Sequence, residues 1–297
     1  MNLLQNETFG EIRVVRLENG RPVEIVIHRD LALNYGDIVL AKITVYHPVL
    51  HGYFAMTDRG DIFIPTTESF TEGQTVKVQI IKERRTDKVA TAHLQIDENL
   101  CFRATGENID STEMDDLIAT AMDATVPFGD GGILHIEKTK VCWTIDVDTG
   151  TSRSPIAVVN ELAVVEIAHQ IRLKNMGGCI LIDFAGSKRG KNRLRIKQLL
   201  SENLMSDTLT TVHGWTKIGL FEIERGRGRA DLWTTCYPEN PVVVYYRIRR
   251  ALVQERSGHP VITAAPEVCR LLNEAAVRAK IVPSFDTPIS FFTVRGE

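Results

Sequence analysis

No C-x-x-C pair occurs in this chain of 297 residues, and its five cysteines (Cys101, Cys142, Cys179, Cys236 and Cys269) are odd in number and widely spread. That excludes a disulfide framework and a cysteine-built zinc site, and it fits a reducing cytosol. Long apolar runs are missing too: none approaches the ~18 residues of a membrane-spanning helix. The opening MNLLQNETFG has no charged stretch followed by an apolar one, so no secretory signal is expected and the cytoplasm is the expected location. Charge of one sign is not in excess either, the formal total being −3 at pH 7. What remains is an ordinary globular composition, 43% hydrophobic and 25% charged, in a chain long enough for about two domains of roughly 150 residues. Such a chain can bury a sizeable core without covalent staples.

The small net charge conceals its distribution. Residues 97–130 hold nine acids against the single base Arg103, a net of −8, so the rest of the chain carries +5. From 134 onward, 23 Lys and Arg stand against 17 acids. Two readings are open at this level: a solvated acidic surface beside an unremarkable domain, or a basic body with a polyanionic partner.

Alternating apolar runs predict an all-β first third. EIRVVRL and VEIVIHR flank the turn signal Glu18-Asn19-Gly20-Arg21-Pro22, which predicts a hairpin. Five short β-type runs follow within 37–96 (DIVLAKITVYH, HGYFAMT, DIFIP, TVKVQIIKE, VATAHLQI), matching the size of an OB-fold barrel, although other five-stranded barrels share the count. Tyr53, Phe54 and Phe63 lie on its second and third strands, with Lys82 and Lys88 on the fourth and fifth. Aromatics of this kind either stack bases beside phosphate-neutralising lysines or pack the barrel interior. Tyr53 and Phe54 are adjacent and so face opposite sides of the sheet.

Residues 97–130 read as an acidic connector or small lid. Their one helix candidate is STEMDDLIATAMDA, started by Ser111 and ended by Val126-Pro127-Phe128-Gly129. Beyond it the pattern becomes α/β: ILHIEKTKVCWTIDVD as two strands, SPIAVVNELAVVEIAHQIRLK as a helix, CILIDF as a buried strand, NRLRIKQLLSENL as a helix and TTVHGWTKIGLFEIERG as a strand pair. A basic helix from 240 onward, PEVCRLLNEAAVRAK and a terminal PISFFTVRG complete the chain. Strands alternating with helices predict a parallel or mixed sheet.

Asp146 and Asp148 alternate on one predicted strand and so leave the same face, and Asp183 ends CILIDF. Functional groups in open α/β sheets gather beyond the carboxyl ends of strands. If the two strands are neighbours, three carboxylates meet there, the oxygen-rich donor set a hard cation such as Mg²⁺ accepts. The commoner fate of a single Asp before a turn is to cap it. Three basic runs accompany these acids: Lys188–Lys197 with six bases, Glu224-Arg225-Gly226-Arg227-Gly228-Arg229, and Tyr245-Tyr246-Arg247-Ile248-Arg249-Arg250. Together they suit a channel for a phosphate backbone, while any one alone reads as a solvated face. These residues point to a metal-dependent phosphodiesterase acting on nucleic acid.

The stretch TKVCWTIDVDTG, followed by ELAVVEIAHQIRLKNMGGCILIDF, then NRLR and GLFEIERGRGR, resembles the catalytic core of the ribonuclease E/G family. The likeness is strong over about 134–230 and weaker over 1–96. It implies an α+β and α/β composite: RNase H-like strands in 1–36 interrupted by an OB-fold RNA-binding domain in 37–96, the acidic connector 97–130, a metal-dependent catalytic domain in 131–240 and a small C-terminal domain in 241–297. By the resemblance, Asp146 and Asp183 match the aspartates that hold catalytic Mg²⁺ (Mn²⁺ being an alternative); Asp148, on the same strand face, is expected as a further metal ligand. Phe54, Phe63, Lys82 and Lys88 match RNA contacts of the barrel, and Arg193, Arg225 and Arg227 fall on basic positions of the core.

The implied activity is endonucleolytic cleavage of single-stranded RNA to 5′-phosphate and 3′-hydroxyl ends, in RNA processing or decay. Departures qualify it. The family's Asn in I-D-V-N is Asp148 here, and its Glu in T-E-A is Lys140. The acidic stretch stands where the family has its 5′-monophosphate sensor, so no preference for a 5′-monophosphate is expected. The family's zinc-linking C-P-x-C is reduced to Cys236-Tyr237-Pro238-Glu239-Asn240, so no zinc is expected, and a monomer or homodimer is expected rather than a zinc-linked tetramer. The alternatives are a catalytically weak or inactive RNA-binding or regulatory protein derived from the nuclease, or a nuclease directed at DNA. No membrane partner is expected.

Overall fold

The computed structural model describes residues 2–8, 10–85, 88–103, 105–186, 192–237, 241–254, 261–263, 268 and 293–295. The chain opens with three strands, β1 (Asn2–Thr8), β2 (Glu11–Glu18) and β3 (Arg21–Arg29). The β2–β3 hairpin turns on Asn19 and Gly20, whose φ values of 52° and 77° are both positive, as a tight two-residue hairpin turn requires. The turn signal therefore has its expected effect, whereas β1 lacks strict alternation and was not anticipated.

Five strands then close a barrel: β4 (Ile38–His47), β5 (Gly52–Thr57), β6 (Gly60–Pro65), β7 (Thr75–Lys82) and β8 (Ala90–His93), in the order β4-β5-β6-β8-β7 with β7 returning to β4. The β6–β8 pairing is parallel and the others are antiparallel, giving an OB-like barrel. Inward residues such as Ile43, Ile62, Ile64, Val78 and Ile80 fill its interior. Tyr53 belongs to this core, where its hydroxyl accepts a hydrogen bond from the Phe70 amide at 3.1 Å.

After the barrel, β9 (Glu107–Asn108) pairs parallel with β1, completing a sheet in the order β3-β2-β1-β9. Helix α1 (Ser111–Met122) follows, capped not by Ser111 but by Asp110, whose side chain accepts the Thr112 and Glu113 amides. Met114, Ile118 and Ala121 are buried, and the buried Arg13 pairs with Asp115 and donates to Asn6 at 2.6 Å. Through β9 and α1 the acidic segment expected as a connector or lid is thus built partly into the N-terminal layer, with one of its acids committed to Arg13.

The third layer is a mixed sheet of β10 (Thr125–Phe128), β11 (Gly132–Lys138), β12 (Cys142–Asp148), β13 (Gly178–Asp183), β14 (Thr210–Trp215) and β15 (Phe221–Arg225), ordered β10-β11-β12-β13-β15-β14. Only β12 and β13 pair in parallel. The helix needed for that crossover is α2 (Ile156–Leu173), and α3 (Asn192–Leu204) leads into β14. Alternation sends Leu134, Ile136, Ile145, Ile180, Ile182 and Ile223 to one buried face, against which the two helices lie. The opposite face exposes Glu137, Asp146, Asp148, Asp183 and Glu224.

The chain separates into two compact units. One comprises the described residues up to Asn6 with Ile12–Leu232, and the other comprises Glu7–Glu11 with the residues from Trp233 onward. The second contains α4 (Leu232–Cys236) from its second residue, α5 (Pro241–Gln254), and the parallel pair β16 (Val261–Thr263) and β17 (Thr293–Arg295). Most of PEVCRLLNEAAVRAK and PISFFTVRG lies outside the described residues. Among those described, no helix is long and apolar enough to cross a membrane.

Helix α2 also touches β3, so Glu166–Ile171 is buried throughout and carries polar groups inward. Both Glu166 oxygens accept from Arg21 Nη2 at 2.7 Å, and Oε1 also accepts from Gln170 at 2.8 Å, while His169 contacts Glu166 Oε1 at 3.2 Å and the Pro22 carbonyl at 2.6 Å. Burial alone would raise the Glu166 carboxyl, yet hydrogen bonds from His169, Arg21 and Gln170 outweigh it and hold it at about 2. Such a lowered acid contributes its full stabilisation above the unfolded value near 4.5 and loses it as pH falls toward the folded one. Glu166→Gln is expected to cost about 2–3 kcal/mol at pH 7, with the difference roughly halved by about pH 3, as read from urea unfolding at several pH values.

Candidate functional site

Parallel pairing of β12 and β13 sets Asp146 directly beside Asp183. The register follows from the buried residues on either side: Ile145 pairs with Ile182 and Trp143 with Ile180, and a one-residue slip would turn both apolar sets into water. Both aspartates line an open cleft of about 430 Å³ with Phe184, Ala185 and Gly186. The turn after Asp183 is held from below by the buried Asn160, whose Nδ2 donates to the Ala185 carbonyl at 2.8 Å. An asparagine in the apolar run IAVVNELAVV is a visible sequence signal for such a tether, and it was overlooked.

Asp148 shares the face but stands two residues further along β12, about 7 Å away along the strand. Its Oδ1 accepts the Gly150 amide at 2.9 Å, and its Oδ2 lies 4.0 Å from Nε2 of His135. The left-handed Gly150 (φ 53°) is obligatory in this turn, because a Cβ there would sit 2.2 Å from the Gly131 carbonyl oxygen. Asp148 therefore shapes the turn beyond the strand. Among the described residues no group of three or more His, Cys, Asp or Glu side chains converges as a metal cage, so the expected convergence of three carboxylates reduces to the Asp146–Asp183 pair. Two carboxylates still fit Mg²⁺, which keeps several waters and is usually held by one or two carboxylates plus phosphate oxygens. His135, whose backbone pairs with Asp146 on the other side, was not singled out beforehand.

The three core arginines separate. Arg193 sits at the carboxylate end: its guanidinium lies 4.6 Å from the Trp215 ring centroid, and its carbonyl accepts the indole N–H at 3.1 Å. Trp215 in turn packs on Phe184 of the cleft at 5.8 Å. Arg225, expected as a phosphate contact, is instead buried, donating to Asp207 Oδ2 at 2.7 Å and to Asn175 Oδ1 at 2.7 Å. Burial alone would raise the Asp207 carboxyl, yet Arg225, with the Leu209 amide and the Thr210 hydroxyl, holds it low. Arg225 pairs with Gly178, at the end of β13 remote from Asp183, about 16 Å along the strand. Arg227 is exposed near the same end, its guanidinium so close over Gly178 that a Cβ there would overlap it.

The expected channel of three basic runs is corrected at Arg225, Arg249 and Arg250, which are engaged within the fold. Lys188, Arg189 and Lys191 lie outside the described residues. Within the second run Arg225 serves the fold while Arg227 stays exposed, and in the third run Arg250 pairs with Glu11 while Arg249 donates to the Tyr245 hydroxyl at 2.7 Å. Local charge density cannot reveal which arginines already have partners.

On the barrel, Phe54 and Phe63 pair directly across β5 and β6 with ring centroids 5.3 Å apart. Their neighbours in register, Ala55, Ile62 and Ile64, are buried, so the two phenyl rings stand outside the barrel, half-buried. The pair continues across the sheet, Phe63 to Thr91 and Thr91 to Lys82, forming one transverse row of two aromatics, a hydroxyl and a lysine. His47 flanks Phe54 edge-on at 6.0 Å and was also missed. The row needs Gly52, because a Cβ there would lie 2.6 Å from the Phe63 ring. Lys88 is exposed where the β7–β8 loop rejoins, bridging to Arg85. The second and third strands and the fourth-to-fifth loop of such barrels commonly take up oligonucleotides.

Comparison with known proteins places this geometry. The pattern of the Ribonuclease E/G family matches residues 49–228, a range that contains all ten of the expected site residues. Ribonuclease G of Haemophilus influenzae is 34% identical over 184 residues, covering 54% of this chain and 38% of that one. Ribonuclease G of Escherichia coli is 29% identical over 185 residues, covering 55% and 38%, and ribonuclease E of a Synechocystis species is 29% identical over 140 residues, covering 45% and 21%. The matched region thus spans well under half the length of these relatives. A weaker likeness, at 14% identity and a TM-score of 0.19, relates 73% of the chain to 61% of that in the crystal structure of a multidomain protein with nucleic acid binding domains from Streptococcus pneumoniae TIGR4. With more than half of its length matched by the family pattern, the chain belongs to the ribonuclease E/G family.

Proposed function

We propose that this protein is a divalent-cation-dependent endoribonuclease that cleaves single-stranded RNA to 5′-phosphate and 3′-hydroxyl ends. The observation that carries the reading is the side-by-side pairing of Asp146 and Asp183 at the mouth of a cleft. Two like charges held so close repel each other and any approaching phosphate, so the pair makes chemical sense as a cation seat. Asp146 and Asp183 would hold Mg²⁺ or Mn²⁺, which supplies an activated water and polarises a phosphoryl oxygen when bound.

The chain's own groups account for the rest. Phe54 and Phe63 offer π-faces that accept any base, which suits single strands, and Lys82 and Lys88 neutralise backbone phosphates beside them. Arg193, oriented on Trp215, offers a cation at the carboxylate end of the sheet. Asn160 fixes the turn that shapes the cleft floor. The role of Asp148 is to set the turn at the cleft's edge, and cation binding rests on the other two aspartates.

Asp146→Asn and Asp183→Asn are each expected to lower cleavage of a labelled oligoribonucleotide with Mg²⁺ or Mn²⁺ by about a hundredfold or more, while RNA binding by fluorescence anisotropy persists. Full activity in either variant would sink the assignment, and binding without any cleavage by the unaltered protein would favour a regulatory role.

Phe54→Ala and Phe63→Ala should each weaken RNA binding by about 1–3 kcal/mol, roughly a 5- to 150-fold rise in Kd, with little change in turnover at saturating RNA.

The described residues of 97–130 include a short 3-10 turn (Glu98–Leu100), β9, α1 and β10, in the place where relatives are expected to carry a 5′-end sensor. Paired oligoribonucleotides bearing a 5′-monophosphate or a 5′-hydroxyl should therefore be cut at equal rates, and a strong monophosphate preference would refute this part of the reading.

A further inference from the structure

The barrel is inserted in the chain between β3 and β9, so two linkers, around residues 30–37 and 94–106, carry it. Two such connections alone leave an inserted domain free to swivel. The buried Gln79 of β7 secures both linkers to the barrel: its Nε2 donates to the carbonyls of Gly36 at 3.1 Å and Asp97 at 2.9 Å, and its Oε1 accepts the Asp97 amide at 2.8 Å.

Four residues on, Glu83 performs a second and different attachment. Its amide donates to the Gly228 carbonyl at 2.9 Å. Its Oε1 accepts the Tyr35 amide at 2.9 Å, and its Oε2 accepts the Ala230 amide at 2.7 Å. One side chain thus joins the entering linker, the end of β7 and the segment leaving β15. The contact is close: a Cβ on Gly228 would lie 2.8 Å from the Tyr35 ring, and the Arg229 guanidinium lies 5.1 Å from the same ring's centroid. Burial pushes the Glu83 carboxyl up, against the two backbone donors and Arg229, with Asp37 adding to the rise.

The other side of the seam is anchored to the catalytic layer. Asn175, in the left-handed region at the end of α2 (φ 49°), donates to the carbonyls of Arg229 and Ala230, each at 3.1 Å. Its Oδ1 accepts from Arg225 of β15, and the Leu232 amide donates to the Lys174 carbonyl at 3.0 Å. A continuous chain of hydrogen bonds therefore runs from the barrel through Glu83, Ala230, Asn175 and Arg225 into the sheet that holds the paired aspartates. At the barrel end it stops one residue from Lys82, a member of the aromatic row.

We propose that Glu83 is a positioning residue that locks the barrel's aromatic row in fixed register with the Asp146–Asp183 pair, so that the bond cut is chosen by its distance from the gripped bases. The proposal rests on the nuclease reading for its choice of bond, but not for the clamp itself. A carboxylate suits the seam because it presents an acceptor to each of two backbone N–H groups, whereas an amide would turn a donor toward one of them.

Glu83→Gln, nearly isosteric, separates positioning from mere stability. In the unaltered protein a 12-nucleotide RNA should be cut at one dominant bond. In the variant the cuts should spread over neighbouring bonds with kcat/KM lowered about tenfold or more, while RNA affinity without divalent cations and the Tm stay close to the original. Spin labels attached to ketone-bearing residues at the exposed positions 56 and 218 report the clamp without reference to activity: their distance distribution should be narrow originally and broad in the variant. A distribution equally narrow in the variant would overturn the clamp. Broadening with an unchanged cut pattern would overturn bond selection, as would slower cleavage with an unchanged pattern and a lowered Tm. Failure of the unaltered protein to cut any RNA with Mg²⁺ or Mn²⁺ would overturn the nuclease reading and bond selection together, while the label distances would still decide the clamp.

Discussion

The level register of two strand-borne carboxylates is the constraint around which the six-stranded sheet is organised. Asp146 and Asp183 stay level because each follows a residue locked into the apolar layer below, Ile145 beside Ile182, with Trp143 beside Ile180 earlier in the same strands. The parallel arrangement is itself a long-range feature, since it requires the α2 crossover and the burial of that helix between two sheets. The pair is thus held in place by hydrophobic burial elsewhere in the same strands.

Much of this was legible in the residues. The alternating runs of the barrel, the Asn-Gly hairpin turn and the helix NRLRIKQLLSENL all behave in the structure as local propensity dictates, because short-range physics decides them. Asp146 is visible as an acid alternating with Asp148 on one strand, and Asp183 as the end of an apolar one. What could not be read was whether their strands are neighbours, which depends on sheet order. Phe54 could be assigned outside the barrel only once its register with Phe63 was known.

The arginines show why the remainder was hidden. Arg193, Arg225 and Arg227 are equally basic in the sequence, yet Arg193 stacks on Trp215, Arg225 is buried against Asp207 and Asn175, and Arg227 lies over Gly178. An ion pair with a residue 18 positions away leaves no periodic trace. His135 and His47 were missed for the same reason, since their relevance lies in cross-strand neighbours. Asn160 differs: a lone amide in an apolar helix was a local signal and deserved to be read as a tether.

Gln79 has a consequence for how such an architecture can arise. The Gly36 and Asp97 carbonyls, where the chain enters and leaves the barrel, accept hydrogen bonds from one amide nitrogen. The two ends of the insertion therefore lie within a few ångströms of each other, although 61 positions separate them in the chain. A module whose entry and exit coincide can be spliced into or out of a host turn with little disturbance to the surrounding layers, because the host has only a short gap to span. In that light the barrel is a cassette, and the amide of Gln79 is the staple that closes its mouth.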